Sequence, residues 1–274
     1  MRRVNGLTCI DDSGAWCGVV QGAGAQALQI VAAIAFARRA GLTYVHTPFV
    51  NVGHATLPQA DYSRAWEVRF NLGLGERQAR PGERLLNFGW LWQLDMVSLY
   101  HGSDSASFDD EIVAGLRAKY HAAAGQRENG PFVVAVHVRR GDVDQVDWPE
   151  LWSPIEYFTT VLAQAAATLK EQGIPFEVKV FSQENFESAA LFQNLNAHCF
   201  VNADPIWTFA ELVESDMLIT SISCFSQMAA LISEGIVLTR DTGLAQRDWI
   251  LCDESGRFKH DSLRARLAAR QAVS

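Results

Sequence analysis

Apolar residues in this chain gather into short runs separated by helix-period segments, and the rhythm sharpens after residue 130. Phe132–His137 is continuously apolar over strand length, as expected of a strand buried on both faces. Phe176–Phe181, Cys199–Val201, Met217–Ser221 and Ile236–Thr239 read the same way. Helical patterns alternate with them. One opens at Ser153-Pro154-Ile155-Glu156, which reads as a capping box with Pro at the first helical position, and runs to about Gln172. Others cover Phe186–Leu195, Thr208–Glu214 and Phe225–Ser233, and a terminal helix begins near Asp261. Apolar strands alternating with helices predict a parallel sheet covered on both faces.

The first half is less regular. Trp16–Val20 reads as a strand, Gln21–Ala25 as a Gly-rich turn, Gln26–Ala40 as a helix and Thr43–His46 as a second strand, which together make one βαβ unit. Arg38-Arg39 followed by Gly41 is a helix stop. Residues 50–89 read as loops with short elements, Leu85–Tyr100 as an apolar, aromatic stretch and Phe108–Ala124 as a helix. The polar segment Gln126–Gly130, ending in Gly-Pro, is the preferred boundary. The expected architecture is α/β, with two Rossmann-like domains, 1–128 and 129–274, facing across a cleft and the first one irregular.

A chain of 274 residues has room for one large or two small domains. Hydrophobic residues at 49% and charged residues at 20% exclude a disordered or disulfide-scaffold chain. A net charge of −8 argues against general nucleic-acid or anionic-membrane binding, so any phosphate must be held by a local cluster of donors. Five cysteines without CxxC spacing suggest free thiols in a reducing compartment. Seven scattered histidines offer no HxxxH or HExxH, so no metal site is expected. The opening residues lack the apolar stretch of a signal peptide, and the run Ile30–Ala37 is too short to span a bilayer. The expectation is a cytoplasmic protein without a transmembrane segment.

Ligands of open parallel sheets bind at the carboxyl ends of the strands. Three segments stand at such ends. His137-Val138-Arg139-Arg140-Gly141-Asp142 follows the strongest strand. Its guanidiniums offer rigid forks of donors that match phosphate oxygens in pairs. The plainer alternative is a solvated ion pair between Arg140 and Asp142. Ser221-Ile222-Ser223-Cys224-Phe225-Ser226 joins a strand to a helix, whose N-terminus can hold an anion or simply be capped by Ser223 and Ser226. Gln21-Gly22-Ala23-Gly24-Ala25-Gln26 is either a ligand-approach turn or a tight turn only; Ala27 stands where GxGxxG would have its third Gly, and no Walker motif is present. Glu67, Asp95, Asp109, Asp110 and Glu111 read as solvated or capping carboxylates. Trp66, Trp90, Trp92, Trp148, Trp152 and Trp207 read mainly as core, with Trp148 and Trp152 placed to stack on a sugar or base.

Taken together, these segments resemble the GT-B-fold fucosyltransferases of the α-1,2/α-1,6 superfamily, which includes the nodulation-type enzymes. His-Val-Arg-Arg-Gly-Asp at 137–142 is similar to their signature. Gly22-Ala-Gly-Ala-Gln26-Ala-Leu-Gln29 is similar to their amino-terminal Gly-Leu-Gly-Asn-Gln-Met-Phe-Gln, and Ser223-Cys224-Phe225-Ser226 to their Ser-Ser-Phe-Ser. The resemblance implies inverting, metal-independent transfer of fucose from GDP-fucose, a co-substrate rather than a cofactor, to a glycan hydroxyl. Residues 1–128 would form the acceptor side and 129–274 the donor domain. Carried over by position, Arg139 would bind the β-phosphate and act catalytically, Arg140 would support it, and His137 would lie against the nucleoside. Ser223, Cys224 and Phe225 would wrap the diphosphate or sugar, and Gly22 and Gly24 would let the first domain approach the cleft. Thr208 falls where the family often has an Asp that reads guanine, Ala25 replaces an Asn, Cys224 replaces a Ser, and Val143 stands where a Tyr is common.

Those departures keep two alternatives open: a glycosyltransferase using another nucleotide sugar, and an inactive GT-B-like protein that binds a glycan or nucleotide. A Rossmann dehydrogenase or methyltransferase is disfavoured by the missing GxGxxG and by His46 and Thr47, where an acid would end the second strand.

Overall fold

The computed structural model describes residues 3–5, 21–80, 86–87, 108–124, 130–183, 192, 195–240 and 245–272. The chain divides into two compact units, 1–126 and 127–274. Both are α/β with parallel strands.

Unit 1–126 contains β1 (Arg3–Asn5), α1 (Ala23–Arg39), β2 (Thr43–His46), α2 (Gln59–Phe70), β3 (Arg77–Gln78), β4 (Leu86–Asn87) and α3 (Asp110–Ala124). The sheet order is β3-β2-β1-β4. The βαβ unit is present, but the strand paired with β2 is Arg3–Asn5. The expected strand Trp16–Val20 lies outside the described residues, as does Leu85–Tyr100 apart from β4. Helix α1 starts at Ala23, three residues before the expected start, with Gly22 as its N-cap. It packs on β1, β2 and α3 and is buried nearly all round, with Ala27, Ile30 and Ala33 fully enclosed. Its end is the expected one, with Gly41 in the left-handed region at φ +62°.

Helix α2 replaces part of the segment read as irregular. Its aromatic residues recur every fourth position, so they share one face. Tyr62 meets Trp66 edge-on at 6.1 Å, Trp66 stacks on Phe70 at 5.5 Å, and Phe70 stacks on Phe49 at 5.4 Å. Trp66 and Phe70 are fully buried, and this aromatic ladder anchors α2.

Unit 127–274 contains β5 (Phe132–Val138), α4 (Ile155–Glu171), β6 (Phe176–Ser182), β7 (Ala197–Val201), α5 (Pro205–Val213), β8 (Met217–Ile219), α6 (Cys224–Ile232), β9 (Ile236–Arg240), β10 (Ile250–Cys252) and α7 (His260–Gln271). Its six strands run in the order β10-β9-β8-β5-β6-β7. Val134, Val136 and Val138 face one way, into a core filled by Tyr157, Phe158, Val161, Leu162, Ala165 and Leu169 of α4 and Leu263 and Leu267 of α7. The α4 positions follow the three-and-four spacing of one helix face. On the opposite face α5 packs on β5 and α6. Helices therefore cover both faces, as the unbroken apolar strands required.

Two local expectations are corrected. Ser153 does not cap α4: the N-cap residue is Pro154, without a side-chain cap, and the buried Ser153 hydroxyl has no hydrogen-bond partner among the described residues. The helix begins one residue too late for Ser153, whose carbonyl instead accepts from Arg140. Helix α5 starts at Pro205, not Thr208, because Asp204 caps it by accepting from the Trp207 N–H at 2.8 Å. Most of the expected helix Phe186–Leu195 lies outside the described residues.

Candidate functional site

The order of the six-stranded sheet locates its binding edge. From β5 the chain moves outward through β6 and β7, then crosses back to lay β8 on the other side of β5 and continues to β9 and β10. The reversal falls between β5 and β8. In open α/β sheets the crevice outside the carboxyl ends at such a reversal is where ligands bind. His137 is near the carboxyl end of β5, and Arg139 follows directly; Ser221 and Ile222 follow β8. The two motifs singled out in this unit thus meet at the reversal.

Arg139 is held from both sides of it. Its Nε and Nη2 donate to Asp142 Oδ1 and Oδ2 at 3.2 and 2.9 Å, and its Nη1 donates to the Ile222 carbonyl at 3.2 Å. Among the described residues, one N–H on each terminal nitrogen remains without a partner. Asp142 reaches back because Gly141 adopts φ +87°, where a side chain would be strained and its Cβ would press on Gln183 at 3.2 Å. The Arg140–Asp142 pair of the plainer alternative is not the one formed; Asp142 takes Arg139. Arg140 turns instead onto the Trp152 ring at 3.7 Å and donates to the carbonyls of Arg139 and Ser153 at 2.7 and 3.1 Å. Burial lowers its pKa to about 10, against the opposing pull of Glu156. Arg139 is the cation held between the two strand-end segments at the reversal, and Arg140 staples the following loop. Trp152 is engaged by Arg140, while Trp148 is half exposed.

His137 Nδ1 lies 2.7 Å from Ser221 Oγ, and its ring is 5.4 Å from that of Phe225. Phe225 packs edge-on against Phe209 of α5 at 5.3 Å. Burial, reinforced by the charge of Arg139, pushes the His137 pKa down to about 3, so the ring is neutral near pH 7. Ser223 caps α6 by accepting from the Phe225 N–H at 3.2 Å, whereas Ser226 donates to the Ser221 carbonyl at 3.2 Å and caps nothing. Cys224 is a free, exposed thiol in the first turn of α6. The helix N-terminus adds partial positive charge beside Arg139.

The structure therefore gathers His137, Arg139, Ser223, Cys224 and Phe225 at one edge. Thr208 lies on α5, which follows β7 and packs on β5 and α6; its N–H donates to the Asp204 carbonyl at 2.8 Å. Beside it Trp207 forms an aromatic cluster with Phe181 and Phe200, at 5.7 and 5.1 Å. Gly22 and Gly24 belong to the other unit. Gly22 caps α1, and Gly24 is buried in its first turn rather than in a loop. Gln26 and Gln29 tie that helix start to its surroundings: Gln26 Nε2 donates to the Val50 carbonyl at 2.7 Å, and Gln29 Nε2 to Gln21 Oε1 at 2.7 Å.

Two polar groupings were not anticipated. One is the Ser221–Ser226 pair behind His137. The other is a cluster ending β2, where His46 Nε2 donates to Glu67 Oε1 at 2.7 Å and Tyr44 lies 3.2 Å from His46 Nδ1. Glu67 Oε2 also accepts from the Phe49 N–H at 3.1 Å, so Glu67 is a structural acceptor and not a solvated carboxylate. Burial and the charges of Glu76 and Glu67 push the Tyr44 hydroxyl far above its ordinary pKa. Spacing along the sequence carries no signal for this cluster, since its members come from a strand, a helix and a loop. Among the described residues no group of three or more His, Cys, Asp or Glu could hold a metal ion, and no helix is long and apolar enough to cross a membrane.

No protein-family model and no curated protein matches the chain. Solved structures similar to it include E. coli heptosyltransferase WaaC with ADP, at 11% identity and TM-score 0.42, covering 99% of this chain and 98% of that one. POFUT1 in complex with GDP aligns at 11% identity and TM-score 0.31, covering 88% and 74%. POFUT1 with GDP-fucose aligns at 14% identity and TM-score 0.26, covering 73% and 64%. Similarities this loose transfer neither a fold family nor a chemistry, and the chain's own residues must carry the functional reading.

Proposed function

We propose that this chain is a GT-B-type glycosyltransferase that transfers fucose from GDP-fucose to a glycan or glycoconjugate hydroxyl with inversion. The observation that carries this reading is the position of Arg139: at the strand-order reversal, oriented by Asp142 and Ile222, with two N–H groups that have no partner among the described residues and can meet phosphate oxygens. Unit 127–274 is the donor domain, and 1–126 serves the acceptor side. The acceptor oxygen attacks the anomeric carbon and gives its proton to water, while the bond to the β-phosphate breaks and GDP leaves with the electron pair. Negative charge grows on the diphosphate as that bond breaks. A preorganised guanidinium stabilises it there without reorganising. In this reading Arg139 and the α6 N-terminus supply the neutralisation without a divalent cation, and Ser223, Cys224 and Phe225 line the diphosphate. Arg140 holds the loop, and Thr208 faces the base. Free thiols at Cys224 and Cys252 suit a cytoplasmic setting.

The deciding experiment is calorimetric titration of GDP, UDP and ADP in EDTA, on wild type and Arg139→Ala. Metal-free GDP binding that is lost in the variant supports the reading. Preference for another nucleotide changes the sugar, with Thr208 as the first residue to exchange. Absence of binding to any of them removes it. A second reading, a glycan- or nucleotide-binding protein without turnover, is favoured by the carboxylate of Asp142, which already offsets part of the Arg139 charge. Release of GDP from donor plus acceptor excludes it.

A further inference from the structure

We propose that Ser221 is a positioning residue that, with Ser226 behind it, holds His137 in the tautomer whose Nε2–H donates a hydrogen bond to an oxygen of a bound nucleoside diphosphate. This deepens, and rests on, the reading of this edge as a nucleotide site.

The geometry is a short chain of hydroxyls across the strand-order reversal. Ser226 is fully buried and donates to the Ser221 carbonyl at 3.2 Å. Its proton is thereby committed to backbone. Ser221 is also buried, and among the described residues its hydroxyl has two candidate acceptors: His137 Nδ1 at 2.7 Å and Ser226 Oγ at 3.4 Å. O–H donors favour acceptors near ~2.7–2.8 Å and weaken well before ~3.4 Å. The Ser221 proton therefore goes to Nδ1, and Nδ1 accepts. A neutral imidazole carries one N–H, which must then sit on Nε2. The ring packs at a 37° tilt against Phe225, itself braced on Phe209. The same outcome follows from the charge of the intended ligand. A lone pair on Nε2 would repel phosphate oxygen, whereas an N–H attracts it. Neutrality has a further use: a donor that does not charge does not compete with Arg139 for the same oxygens.

The test reads the tautomer directly. Histidine-15N-labelled full-length protein is examined by long-range nitrogen–proton correlation, with His137 assigned by its loss in His137→Gln. The expected pattern is protonated Nε2 and unprotonated Nδ1, unchanged between about pH 8 and about pH 5, a range in which ordinary histidine titrates. Protonated Nδ1 in the wild type overturns the relay. Ser221→Ala is expected to give a mixture of tautomers and to bind GDP about tenfold more weakly, while Ser221→Thr, which keeps the hydroxyl, restores both. A Ser221→Ala protein with the wild-type tautomer overturns the positioning role, and an altered tautomer with unchanged GDP affinity overturns the donor role. If wild type shows the expected tautomer but binds no GDP, the nucleotide reading and the donor role fall together and the hydroxyl chain is a structural pin. If wild type binds GDP with Nδ1 protonated, the relay alone fails.

Discussion

Arg139 donates to both carboxylate oxygens of Asp142, three residues further on, at 3.2 and 2.9 Å. The pair aims the guanidinium and also lowers its net charge, and these two effects act oppositely on an anionic ligand. Asp142→Asn separates them. It keeps one acceptor oxygen for Arg139 and removes the negative charge, so GDP binding should tighten several-fold at low salt. The gain should shrink as ionic strength rises and screens the lost repulsion. Calorimetric titration at two salt concentrations checks this, and equal affinities at low salt would show that the carboxylate charge is not felt at the site.

Arg139→Lys tests the fork rather than the charge. Lysine keeps the cation but replaces a planar set of donors with a point charge. Its three donors cannot keep both Asp142 oxygens and the Ile222 carbonyl and still donate to a phosphate. Hydrogen bonds to charged groups contribute about 1.5–3 kcal/mol. Arg139→Lys should therefore lose roughly tenfold or more in GDP affinity, close to the loss in Arg139→Ala. Full recovery by lysine would reduce Arg139 to a source of field.

The depressed pKa of His137 links stability to pH. Its folded value of about 3 lies below the 6.5 of an ordinary histidine. Between these values the unfolded chain binds the extra proton and the folded chain does not, so protons favour unfolding. The contribution of His137 is fully present above about pH 6.5 and is lost as pH falls toward 3. Urea midpoints measured downward from neutral pH should fall, and His137→Gln should flatten that part of the curve. A wild-type curve no steeper than the variant's would mean that His137 titrates normally.

How much of this was legible depends on how local the signal is. Strand β5 stood out because burial on both faces turns Phe132–Val138 into one apolar run. Strands β1 and β10 have three residues each, too few to show a pattern. Helix α1 was recognisable but started early, because Gly22 and Gly24 suggested a loop where Gly24 is already helical. Helix α2 was hidden by its charged residues, although Tyr62, Trp66 and Phe70 recur at helical spacing. The HVRRGD segment was visible as chemistry, but the roles within it were not. Arg140 turns to Trp152 and Arg139 takes Asp142, a choice made by the positive φ of Gly141. The His137–Ser221 contact joins residues 84 apart and exists only because β8 returns to lie beside β5. No one-dimensional pattern encodes that pairing.

Glu67→Gln probes the cluster at the end of β2. The carboxylate accepts from both His46 and the Phe49 N–H, and His46 is almost wholly buried. Glutamine has one oxygen and an amide group, so one of the two donors must face another donor. A buried donor left unpaired costs about 1–3 kcal/mol. The urea midpoint of the first transition to involve this unit should fall, with its slope unchanged. An unaltered midpoint would mean that the cluster contributes nothing net.

Gly73→Ala should be costly for a reason unrelated to backbone freedom. A Cβ there would lie 2.7 and 2.9 Å from His46 Cδ2 and Nε2 and 3.3 Å from Glu67 Oε1. The ring has no room to give, since both of its nitrogens are engaged, by Tyr44 and Glu67. Overpacking of this kind costs about 1–3 kcal/mol. Gly115→Ala is the control. Gly115 is exposed within α3, and a Cβ there meets nothing within 4 Å. Replacing a mid-helix Gly by Ala stabilises by roughly 0.5–1 kcal/mol. The two substitutions add the same methyl group to the same unit and should move the urea midpoint in opposite directions. A Gly73→Ala protein as stable as wild type would require the His46–Glu67 contact to open, and the nitrogen resonances of His46 would then report a lost partner.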